Sequence, residues 1–120
     1  MILNPLTALS PLDGRYVNKL SNLRPLMSEF GLIRARVFVE VRWLIYLSEL
    51  KTFTDLPALS AEARSVLDSI LSDFSTQDAM AIKQLEETTR HDVKAVEYYL
   101  QEKLSSYPDL IPFVHFGCTS

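Results

Sequence analysis

Apolar residues recur along this chain at the three-and-four spacing of an α-helix and almost nowhere in the strict alternation of a half-buried strand. Between Leu32 and Leu50, Ile33, Val37, Val41, Leu44 and Leu47 fall on one face and Phe38 and Ile45 widen it, which predicts a long amphipathic helix. Arg36 and Glu40 stand four apart on the opposite side as a weak supporting ion pair. A connector over residues 51–59 contains Pro57, and Ser60 then offers an N-cap to a helix whose apolar stripe is Ala63, Val66, Leu67, Ile70, Leu71 and Phe74. Ser75 with Asp78 three residues later reads as a capping box opening a helix over Thr76–Glu87. A last helix, Asp92–Ser105, turns Val93, Val96, Leu100 and Leu104 inward, and Pro108 and Pro112 end the pattern. Residues 1–16, punctuated by Pro5, Pro11 and Gly14, read as an extended arm, followed by a short helical piece around Val17–Leu23. Pro25 suits the first turn of another helix, and Gly31 marks a bend or a close contact. The expected fold class is all-α.

Composition narrows this further. At 120 residues, 48% hydrophobic and 22% charged, the chain has the make-up of one soluble globular domain rather than of a disordered segment. Its net charge of −3 argues against non-specific nucleic-acid binding, so an anionic ligand would have to be held by a few local cations. No uncharged apolar run approaches the roughly 20 residues of a membrane span, and the first twelve residues lack the Lys or Arg of a signal peptide. A single cysteine, Cys118, excludes an internal disulfide and fits a reducing compartment. The expected setting is the cytoplasm, without nucleic-acid or membrane partners.

Three polar clusters carry the candidate chemistry. Thr88-Thr89-Arg90-His91-Asp92 stands directly before a helix, where free N–H groups and the positive end of the dipole attract carboxylate or phosphate. An ordinary cap with surface charges is the competing reading. Ser10-Pro11-Leu12-Asp13-Gly14-Arg15-Tyr16 is a tight-turn sequence presenting a guanidinium fork and a phenol to an anion, unless Asp13 and Arg15 merely pair with their neighbours. Thr119-Ser120 adds two hydroxyls at what reads as the lead-in to a further helix; the chain stops there, as though cut at the start of its next element. His115 is expected to pack in an aromatic setting and Cys118 to fill space beside the turn.

Taken together, Ser-Pro-Leu-Asp-Gly-Arg-Tyr, Thr-Thr-Arg-His-Asp-Val-Lys-Ala-Val-Glu-Tyr-Tyr and His-Phe-Gly-Cys-Thr-Ser resemble, in order and separation, the N-terminal part of the adenylosuccinate lyase family. Arg36, Glu40 and Trp43 fit the same likeness, and Gly-x-Thr-Ser is shared across the wider fumarase/aspartase superfamily. The resemblance implies a homotetrameric all-α C–N lyase that eliminates fumarate from adenylosuccinate and from succinyl-aminoimidazole carboxamide ribotide, without a metal or other cofactor. It implies that residues 1–110 form the N-terminal helical domain and 111–120 the start of a central helical bundle. By motif, Arg15 and Tyr16 would hold the nucleotide phosphate. Arg90, His91 and Asp92 would contact the base and succinyl portion, and Thr119 and Ser120 the departing carboxylates. Some family members carry Asn where this chain has Arg90. His91 takes a supporting catalytic part only, because the family's acid histidine and base serine would lie beyond residue 120. A stand-alone helical interaction module, or another superfamily lyase such as argininosuccinate lyase, are the alternatives; the lyase reading expects the 120-residue piece alone to be inactive.

Overall fold

The computed structural model describes residues 1–119, and it is all-α: among the described residues helices and turns are present and no strand. The chain divides into two compact units, Met1–Leu32 and a second from Ile33 onward.

In the first unit the expected extended arm is instead a succession of turns. Asn4 is the cause. Its side-chain oxygen accepts the Leu6 N–H at 2.8 Å while its carbonyl takes the N–H groups of Thr7 at 3.0 Å and Ala8 at 2.8 Å. A short polar side chain that bonds its own backbone offers a local alternative to extension, and Pro5 presets the turn. A 3₁₀ turn at Val17–Lys19 leads to α1, Arg24–Met27, with Pro25 in its first turn as expected. Arg24 ties this unit together, reaching the Asp13 carboxylate and the Val17 carbonyl at 3.3 Å each. Gly31 marks the expected close contact: a Cβ there would lie 2.5 Å from the Leu26 carbonyl oxygen.

The boundary between the units falls within α2, Glu29–Leu50, which starts three residues earlier than the apolar stripe suggests. Ile33, Val37, Val41, Leu44, Ile45 and Leu47 are buried as predicted. Phe38 is not. It is half exposed, with the Arg42 guanidinium 5.4 Å from its ring centroid, because its position lies off the buried stripe. The Arg36–Glu40 pair also gives way, each side chain taking a distant partner described below. Ser60 caps α3, Ala61–Ser72, by accepting the Ala63 N–H at 3.1 Å; Ala63, Leu67 and Ile70 form its buried edge.

α4, Thr76–Thr89, opens on the expected capping box, with the Ser75 N–H donating to Asp78 at 2.9 Å and the Asp78 N–H to the Ser75 hydroxyl at 3.4 Å. It forms a helical hairpin with α5, Asp92–Lys103, whose Ala95, Val96, Tyr99 and Leu100 are buried. The Tyr99 hydroxyl donates to Asp78 at 3.0 Å, fastening α5 to the start of α4. Burial, then the neighbouring Asp78 carboxylate, push the Tyr99 phenol well up, so it stays a donor. Burial works against charge on Asp78, but the bonds from Ser75 and Tyr99, with Lys103 nearby, outweigh it and hold the carboxyl below its ordinary 3.8. A carboxyl depressed in this way stabilises the fold above its unfolded value, and that contribution disappears as pH falls through the folded one. Asp78→Ala is therefore expected to cost about 1–2 kcal/mol at neutral pH, a difference that narrows on acidification below the ordinary carboxylate range. Urea denaturation of both chains at pH 7 and pH 3 (roughly the two sides of the transition) checks this; an equal gap at both would remove the charge from the account.

Beyond α5 the chain turns through a 3₁₀ segment, Ile111–Phe113, containing Pro112. Phe113 and Phe116 meet Phe53 from the connector, with centroids 5.0–5.9 Å apart. No helix among the described residues is long and apolar enough to cross a membrane.

Candidate functional site

The predicted helix-start cluster lies at the α4–α5 junction. Arg90 ends α4 in the left-handed region at φ 56°, its N–H bonded to the Glu86 carbonyl at 2.8 Å. A non-glycine residue there is uncommon and lets the two helices reverse over very few residues. The guanidinium of Arg90 is exposed and has no acidic partner among the described residues.

His91, rather than a threonine or the aspartate, is the N-cap of α5. Its Nδ1 accepts the Lys94 N–H at 3.2 Å. A ring nitrogen that accepts cannot also carry the proton, so Nε2 holds the hydrogen and is left as a donor. The Thr89 hydroxyl grips the His91 backbone twice, donating to its carbonyl at 3.0 Å and accepting its N–H at 3.3 Å. Asp92 is bound on both oxygens: Oδ1 accepts the Val93 N–H at 2.9 Å, and Oδ2 meets the Arg36 guanidinium at 2.9 Å. The Val93 N–H first, and then Arg36, hold this carboxyl below its usual range against some desolvation.

In the first unit, the Ser10–Tyr16 turn forms as predicted. Asp13, Gly14 and Tyr16 donate their N–H groups back to Ser10 and Pro11 at 2.9–3.3 Å. Gly14 is required because a Cβ would stand 2.9 Å from the Pro5 carbonyl oxygen. Asp13 pairs with Arg24, not with Arg15. Arg15 is left exposed, its guanidinium 5.8 Å from the Tyr16 ring centroid and without an acidic partner among the described residues. Of the competing reading, in which both residues merely pair with neighbours, the structure bears out the part for Asp13, which meets Arg24, and not the part for Arg15.

At the far end Thr119 is exposed, and Ser120 lies outside the described residues. The segment before them holds contacts that the sequence did not reveal. His115 Nδ1 lies 2.6 Å from Glu40 Oε1 on α2, with Glu40 buried and His115 largely so. Trp43, three residues further along α2, donates its indole N–H to the Phe116 carbonyl at 2.7 Å. The Cys118 thiol stands near Glu40, and burial, with that carboxylate, raises its pKa and keeps it neutral. Glu40, His115 and Cys118 place one potential ligand atom each within 4.8 Å of one another. The 2.6 Å Glu40–His115 separation is a hydrogen bond, whereas donors sharing a tetrahedral ion stand about 3.3 Å or more apart. The cluster is thus arranged as a bonded pair beside a neutral thiol. Its one signal in the sequence was a glutamate flanked by core positions Val37, Val41 and Leu44.

The fold of the described residues is all-α, and the relatives the chain matches are lyases of the fumarase/aspartase type. No protein-family model matches the chain. Over its whole length it is 51% identical to the adenylosuccinate lyase of Haemophilus influenzae, 50% to that of Vibrio cholerae and 51% to that of Escherichia coli K12. It spans 27% of the length of these curated relatives. The chain corresponds to the N-terminal portion of the adenylosuccinate lyase family.

Proposed function

We propose that these residues are the N-terminal part of an adenylosuccinate lyase. In that enzyme fumarate is eliminated from adenylosuccinate to give AMP, and from succinyl-aminoimidazole carboxamide ribotide to give the aminoimidazole carboxamide ribotide. The observation that carries this is identity of about half of all residues, end to end, with relatives of that name. In the reaction a base takes a proton from the carbon beside a carboxylate. That electron pair forms the fumarate double bond, the C–N bond breaks, and an acid protonates the departing nitrogen. The protein's largest task is to stabilise the extra negative charge that accumulates near the carboxylate.

On this reading the unpaired guanidinium of Arg15 and the Tyr16 hydroxyl bind the phosphate. Arg90 and the His91 Nε2–H face the base and succinyl group, with Asp92 beside them. Thr119 and Ser120 hold the carboxylates of the future fumarate. The principal acid and base come from elsewhere in a homotetramer whose sites are composed from several subunits, in the cytoplasm. Residues 1–110 serve as the N-terminal helical domain and 111–120 begin the central bundle.

A protein carrying this segment at the full length of its relatives is expected to release fumarate from adenylosuccinate, and the 120-residue chain alone to release none. Arg15→Ala in the long form is expected to raise KM roughly tenfold or more, since a charge-assisted fork to phosphate is lost. Fumarate absorbance at graded substrate concentrations reads both. Turnover by the short chain, or an unaltered KM, contradicts the assignment.

A further inference from the structure

Arg36, Glu40 and Trp43 stand at i, i+4 and i+7 of α2 and so share one face of it. Each sends its polar group to a different distant residue: Arg36 to Asp92 at 2.9 Å, Glu40 to His115 at 2.6 Å, and Trp43 to the Phe116 carbonyl at 2.7 Å. The first partner opens α5 next to His91; the other two lie in the segment that runs into Thr119. Arg36 and Glu40 also border a groove of about 230 Å³ shared with Val39, Val93 and Val96. We infer that α2 is the positioning element of the site, with Arg36, Glu40 and Trp43 holding the His91 and Thr119 segments in one register. This rests on the function proposed above, which assigns both segments to the same substrate.

The outer two tethers are about 10 Å apart along an axis rising roughly 1.5 Å per residue. Covalent geometry and intrahelical bonds fix that span, so neither segment's loop conformation has to define it. The Glu40–His115 pair shows what is being obtained. Its side chains are 10% and 11% exposed, and each keeps one buried atom, Glu40 Oε2 and His115 Nε2, without a hydrogen-bond partner among the described residues. A half-satisfied buried pair works against folding, and apolar side chains of similar size would fill the space more favourably. What apolar packing cannot supply is a directed bond of defined length. The segment it holds needs one: His115 lies in the left-handed region at φ 63°, a conformation that in a non-glycine residue persists only where surrounding contacts determine it.

In the full-length protein, Glu40→Leu is expected to lower kcat/KM on adenylosuccinate by roughly 10–100-fold, mostly in kcat, because reacting groups are displaced rather than removed. Glu40→Gln, which keeps a carbonyl oxygen for His115, is expected to recover activity to within about threefold. Trp43→Phe, which deletes the N–H donor together with the pyrrole ring, should act like the leucine variant on a smaller scale. Amide hydrogen exchange over residues 115–119 is expected to quicken in Glu40→Leu and Trp43→Phe and to return to the parent rate in Glu40→Gln. Lowered melting with unchanged kcat/KM and unchanged exchange would overturn the positioning role and leave a packing one. Absence of turnover in the parent protein would overturn the proposed function instead, and the exchange rates would still decide whether α2 holds the segment; Glu40→Gln and Trp43→Phe keep that reading possible if Glu40→Leu does not fold.

Discussion

His91→Ala in the full-length protein is expected to lower kcat/KM by about 10²–10⁴-fold, the range a positioned proton donor contributes. The argument starts from the ring's two nitrogens. Nδ1 is committed to the Lys94 N–H, so Nε2–H is the group left for substrate. Alanine deletes both, and loss of the N-cap by itself costs about 1 kcal/mol of helix stability. His91→Asn separates the two effects. Asparagine is among the best N-cap residues, so stability should return, while the imidazole donor remains missing and activity stays low. Steady-state kinetics and thermal melting of the three proteins decide it. Full activity in the asparagine variant would reduce His91 to a helix cap.

Leu67→Ala is the largest expected loss of stability, about 2–5 kcal/mol. Leu67 is 0% exposed on α3, so truncation removes the transfer energy of buried methyl groups and leaves a void that rigid neighbours fill only in part. A chain of this size has only about 5–15 kcal/mol in total, so the variant should unfold at markedly lower urea. Unlike His91→Ala, it should leave the chemistry of a refolded molecule intact. A change below about 1 kcal/mol would mean that α3 contributes little to the cooperative core.

Helix boundaries were legible wherever a local hydrogen bond creates them. Ser60 and the Ser75–Asp78 box cap the helices they were expected to cap, because capping chemistry involves residues three apart and needs no tertiary partner. The buried stripe of α2 was legible for the same reason, being a property of one helix alone. The Ser10–Tyr16 turn and the helix junction at 90–92 also formed where their residues indicated, although the cap there is the histidine. The N-terminal arm was misread because Asn4 folds the backbone on itself through its side chain, a choice that spacing does not reveal. The bond of His115 was not legible because its partner is Glu40, 75 residues away.

The sequence by itself determined an all-α chain, the caps of α3 and α4, the buried stripe of α2 apart from Phe38 and the family it resembles, since each depends on spacing within a few residues or on motif order. The tertiary structure decided where the polar side chains of α2 point: Arg36 to Asp92 instead of Glu40, Glu40 to His115, Trp43 to Phe116. Those bonds join segments that share no local pattern. Whether a charged side chain pairs along its own helix or across the core depends on which other groups burial brings within about 3 Å, and only the packed chain specifies that.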